Sequence, residues 1–259
     1  MQYQALRKEA SSKLMLFAVI TTILVFLATF VQIWLMMNSN ISDIVAQSME
    51  MTPAPEIFSD IFLSAFKFVM IIVMIPALGV ASLIIIALFL IYANARSNQP
   101  LKRTGYTIMR GMMIAGLVCD AFGLFAIILT IKGFSSYRAI SNAAEGFVTL
   151  LIAITSVSAL KTAKEVVVHG STYRRISNLL PILLIVTLCV TAGNMILVIL
   201  ANTMPALTVK LVEYRLSSAP IYYVSIANHA LQLIQTFLFI LLCFRGKNAI
   251  SQQRETPVY

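Results

Sequence analysis

Residues 14–37 read LMLFAVITTILVFLATFVQIWLMM, and no charged residue occurs from Leu14 to Ser42. A helix needs roughly 20 apolar residues to cross a hydrocarbon core of about 30 Å, so this one stretch sets the class of the molecule. Arg7 and Lys8 precede it as they would precede a secretory leader. The run is too long for a typical leader core, and no A-x-A-like cleavage site follows, so it reads as a retained span.

Five more apolar stretches follow the same logic. The predicted spans are 14–37, 68–93, 111–131, 139–160, 179–204 and 221–244. The fourth reaches full length only if it starts near Ala139 and carries Glu145 in its outer turns. The runs are continuous rather than alternating, which favours helices over a β-barrel. The expected fold is therefore all-α: a polytopic integral membrane protein with six transmembrane helices. No segment between the spans is long enough for a separate soluble domain, so residues 1–259 read as a single membrane domain. Composition agrees: 59% of residues are hydrophobic and 11% charged, where a soluble domain carries about 25% charged residues.

The positive charges give the frame a direction. Fourteen of the 19 Lys and Arg residues lie in the N-terminal arm, the second loop, the fourth loop and the C-terminal tail, and five lie in the other three loops. Cytoplasmic segments carry that excess, so both termini are expected in the cytoplasm and the cell membrane is the expected location. The basic clusters Arg96, Lys102, Arg103 and Arg110, then Lys161, Lys164, Arg174 and Arg175, flank spans. Despite the net charge of +9, this placement points to anionic headgroups and the lipid bilayer, not to nucleic acid. A membrane or cytosolic protein partner at these loops is the other expectation.

Smaller features fill in the frame. Pro53 and Pro55 break the first outer loop, and Ile57, Phe58, Ile61, Phe62, Ala65 and Phe66 then recur at helical spacing. Asn40-Ile41-Ser42 forms a glycosylation sequon, and Pro76 with Gly79 predicts a kink in the second span. Trp34, Tyr92, Tyr106, Tyr137, Tyr222 and Tyr223 fall near span ends, where amphipathic rings favour the interface. Thr104-Gly105-Tyr106 before Arg110 and Ser171-Thr172-Tyr173 before Arg174 raise the idea of a duplicated unit. The three cysteines fall inside apolar runs and are expected as small buried hydrophobes.

No catalytic signature is present: there is no H-E-x-x-H, G-x-S-x-G or G-x-x-x-x-G-K-[ST]. The chain is expected to be non-enzymatic and to need no cofactor or metal. The outstanding residue is Asp120, near the middle of the third span, where a charge costs about 2.5–3.5 kcal/mol on insertion scales. Gly116 and Gly123 share its face, which predicts close packing inside a bundle. The last span carries Ser225, Asn228, His229, Gln232, Gln235 and Thr236 at three- and four-residue intervals, and the fifth carries Thr187, Thr191 and Asn194. Polar side chains in lipid must face other helices or water. The leading expectation is a transporter or channel-like protein for a small solute or ion. Asp120 would serve as its charge or proton site and His229 as a relay, with Asn194, Asn228, Gln232 and Gln235 as lining. The alternative is a non-catalytic scaffold or accessory subunit of a larger membrane complex, in which the same stripes hold helices together.

Overall fold

The computed structural model describes residues 4–38, 78–97, 99–130, 136–204 and 219–252. Among the described residues the architecture is all-helical. The helices are α1 (Gln4–Ala10), α2 (Lys13–Asn38), α3 (Leu78–Arg96), α4 (Thr104–Thr130), α5 (Ser136–His169), α6 (Leu179–Thr203) and α7 (Ala219–Ser251). Five of them are long and apolar enough to cross a membrane: α2, α3, α5, α6 and α7. The first-loop apolar segment, the sequon, Pro76 and the acidic residues Asp43, Glu50, Glu56 and Asp60 lie outside the described residues.

Local chemistry sets the helix ends. Two residues separate α1 from α2, and the Ser12 hydroxyl accepts the Met15 N–H at 3.2 Å, satisfying one of the free donors of the first turn of α2. Ser177 does the same for Leu179 at the start of α6, where Pro181 in the first turn has no N–H to leave unpaired. At the far end of α5, Gly170 adopts φ 80° and donates its N–H to Val166 O at 2.8 Å, the left-handed stop that glycine makes cheaply. That stop explains why α5 outruns its apolar stretch. Lys161, Lys164 and Glu165 end the hydropathy signal but are good helix formers, and the helix continues to His169.

The chain divides into two compact units. The first comprises 1–20, 83–188 and 236–259, and the second 21–82 and 189–235. The core of the first unit is built from Leu6, Met15, Leu88, Ile91, Leu101, Tyr106, Val166 and Ile250, drawn from α1, α2, α3, α4, α5 and α7. Within it α4 and α5 pack as a hairpin. A Cβ on Gly146 of α5 would stand 3.4 Å from Leu124 Cδ1 of α4. Tyr92 and Tyr106 are buried in this core. Arg96 donates to the Tyr92 hydroxyl at 3.0 Å and lies over its ring.

Large apolar side chains remain exposed along the long helices, among them Phe17, Phe89, Phe122, Phe147, Ile182 and Phe237. Such continuous apolar surface is what a lipid-facing helix presents. Cys119 and Cys189 share that exposure, so they are not the buried hydrophobes their apolar context predicts. The two Tyr-containing triplets also differ: Thr104–Tyr106 opens α4, while 171–173 lie in the non-helical link between α5 and α6. They carry no sign of a shared local structure.

At Gly105 α4 crosses α3 closely. A Cβ there would lie 2.7 Å from Ile91 Cγ1 and 2.9 Å from the backbone oxygen of Ala87. A backbone oxygen in a helix cannot move aside, so Gly105→Ala is expected to cost about 1–3 kcal/mol. Gly111→Ala, whose Cβ would meet nothing within 4 Å, is expected to gain up to about 1 kcal/mol of helix propensity. Thermal unfolding in detergent checks the pair: the transition falls for the first and holds or rises for the second.

Candidate functional site

The six residues singled out by sequence fall in two places. Asp120 belongs to the first unit, while Asn194, Asn228, His229, Gln232 and Gln235 belong to the second.

In the second unit the polar stripe of α7 meets a stripe on α2. Asn228 is buried. Its Nδ2 donates to Gln32 Oε1 at 2.8 Å and lies 3.3 Å from the Thr29 hydroxyl, which in turn donates to Asn228 Oδ1 at 3.4 Å. Gln235 Nε2 donates to the Thr22 hydroxyl at 3.0 Å. Residue numbers rise along α2 as they fall along α7, so the two helices run antiparallel here. The spacing matches as well, Thr22 to Thr29 on one helix against Gln235 to Asn228 on the other, two turns apart on both. His229 turns to its own helix, with Nδ1 2.7 Å from Ser225 O. Gln232 and Asn194 are half-buried.

The α2 half of this ladder was missed from sequence. The signal was present as Thr22, Thr29 and Gln32, three polar residues on one face of an otherwise apolar run. Threonine reads as neutral in a hydropathy scan, and only its spacing marks it.

Several other hydroxyls of the long helices are satisfied by their own helices. Thr149 donates to Glu145 O, Thr155 to Leu151 O, Thr162 to Ser158 O and Thr187 to Leu183 O, all at 2.8–3.1 Å. Asp120 is half-buried and has no hydrogen-bond or ion-pair partner among the described residues. Gly116 beside it does not host a close helix approach, since a Cβ there would meet nothing within 4 Å. The small-residue face of α4 is therefore not packed tightly at this point, and the close contact lies at Gly105 instead.

An apolar cavity of a size in keeping with a ligand lies in the first unit. Its volume is about 420 Å³, and it is lined by parts of all seven helices and the α5–α6 link. Met15, Met109, Met113, Leu160, Leu184 and Phe239 are among its apolar lining, and its volume falls within the ~300–1,000 Å³ usual for small-molecule sites. Methionine conforms to irregular shapes. Polar groups are few: Tyr106, Ser156, Cys243, Glu9 and Lys247. Glu9, its only carboxylate, has Arg245 at 3.7 Å. The link between α5 and α6 closes over one side and is fixed by Glu165, which accepts from Thr172 at 3.2 Å and pairs with Arg174 Nε at 3.0 Å. No group of His, Cys, Asp and Glu capable of holding a metal occurs among the described residues.

Comparison with protein-family models, with curated proteins and with solved structures finds no match.

The α2–α7 ladder makes a direct prediction. Asn228→Leu alone leaves Gln32 unpaired and is expected to cost about 0.6–2 kcal/mol. Adding Gln32→Leu removes both partners and should recover much of that loss. His229→Ala, which breaks only an own-helix contact, should cost less than Asn228→Leu. Melting curves of the four proteins in one detergent provide the measurement.

Proposed function

We propose that this chain is a six-span, non-catalytic membrane protein with both termini in the cytoplasm, resident in the cell membrane, that carries a small apolar or amphipathic solute. The observation behind the solute class is the apolar cavity of the first unit. The charge alternation along the chain supports the orientation, and the length of α4, 27 residues, supports its place as the sixth span. The absence of a nucleotide-binding motif from the sequence means that uphill movement would draw on an ion gradient or a partner ATPase. In this reading Asp120 is the group available for a proton or cation, while Asn228 and Gln235 hold α7 to α2.

The second reading, an accessory or scaffold subunit, draws on one observation: the α7 stripe spends its hydrogen bonds on α2. A mild-detergent pull-down separates the two. A stoichiometric protein partner lost on neutralising Arg174 and Arg175 favours the subunit.

Transport is tested in proteoliposomes with a fluorescent acyl probe whose passage between leaflets is followed by quenching. The wild type is expected to accelerate passage over protein-free vesicles, and Ala159→Phe, which fills the cavity, to abolish the gain. Asp120→Asn is expected to keep probe binding and lose any dependence on a proton gradient. No acceleration by the wild type would sink the transport reading. Cysteines placed at the exposed residues 8 and 252 should both be labelled from the cytoplasmic side only.

A further inference from the structure

The apolar cavity does not stand alone. Beside it, within the same unit, lies a polar basin of about 430 Å³ lined by Arg174, Arg175, Ser177, Asn178, Lys247 and Ser251, with Ile176 and Ile250. Ile176, Lys247 and Ile250 line both spaces, so the two share a wall. The basin has a definite charge. Arg174 is compensated by Glu165. Arg175 has no carboxylate partner among the described residues, and Lys247 donates to the neutral Asn178 side chain. Among the described residues, then, two cations without a carboxylate partner stand at the edge of a cavity whose one lining carboxylate, Glu9, has Arg245 beside it.

A purely apolar solute would use the cavity and leave these cations idle. A free anion would use the basin and leave the cavity empty. We infer that the joined spaces form one site for an anionic amphiphile, a membrane lipid with a phosphate-type headgroup. The head sits in the basin against Arg175 and Lys247, with the Ser177, Ser251 and Asn178 side chains as hydrogen-bonding partners. One acyl chain runs into the cavity between Met109, Leu160 and Phe239. This rests on the reading of the cavity as a solute site and names the class of that solute. It goes beyond the general attraction of basic loops to anionic headgroups, which needs no cavity and no chain.

The test is native mass spectrometry of the full chain in a non-ionic detergent with two lipids of identical chain: palmitoyl lysophosphatidylglycerol and palmitoyl lysophosphatidylcholine. The expected result is preferential binding of the anionic lipid. A cation near a headgroup is worth about fivefold in affinity. The double variant Arg175→Gln, Lys247→Gln should therefore lose roughly 25-fold for the glycerol lipid and change little for the choline lipid. Ala159→Phe should block both lipids. Leu184→Trp, on a different helix, serves the same purpose if the first variant does not fold. Equal binding of the two lipids, blocked by the filling variants, would overturn the anionic head and leave the cavity reading standing. Anionic preference that persists in the double variant would overturn the basin. Displacement of the lipid by millimolar inorganic phosphate alone would overturn the joined site. Binding of neither lipid would overturn the cavity reading together with this inference.

Discussion

A polar group that leaves water must find its partner within the protein, and most features of this chain are answers to that demand. The backbone answers by forming helices, which pair their own N–H and C=O groups. The hydroxyls of Thr149, Thr155, Thr162 and Thr187 answer by turning back to a carbonyl one turn earlier. The larger amides of Asn228 and Gln235 cannot be satisfied so simply and reach across to α2. A polar residue in an apolar helix is thus first a packing problem. It becomes evidence of function only when no partner answers it, and Asp120 of α4 has none among the described residues.

The same demand explains what could be read from the sequence. Apolar runs translate directly into helices because length and hydropathy are local properties. The stretch 14–37 lies within α2, and 179–204 matches α6 to within a residue. Ends set by capping were harder. The run 139–160 stops at Lys161, but the helix stops at Gly170, since charge ends a hydropathy run whereas backbone conformation ends a helix. The site was legible only in part. The polar stripe of α7 was visible, yet its partner is on α2, some 200 positions away in the chain, and sequence spacing says nothing about which helix faces which. The cavity was invisible for another reason. Its walls are ordinary Met, Leu and Phe residues, and what makes them a site is a gap between helices that no single helix records.

Glycine shows the two meanings a small residue can have. Gly116 and Gly105 are both on α4, and from sequence only Gly116, on the Asp120 face, is expected at a close helix approach. Only Gly105 has a backbone against it, the Ala87 carbonyl of α3. The contact anchors the end of α4 from which Tyr106, Met109 and Met113 project into the cavity wall. A precise crossing at one position therefore fixes the shape of a space several residues away.

The short helix α1 carries a consequence of a different kind. It has seven residues, too few to be stable alone in water, so its order depends on the packing of Leu6 and Ala10 in the core. Leu6, Glu9 and Ala10 also line the cavity. Filling of the cavity and folding of α1 are then two sides of one equilibrium: whatever binds the ordered wall stabilises it, by mass action, against local unfolding. Slowed amide hydrogen exchange at residues 4–10 becomes a gauge of occupancy, readable without labelling the ligand or knowing its name.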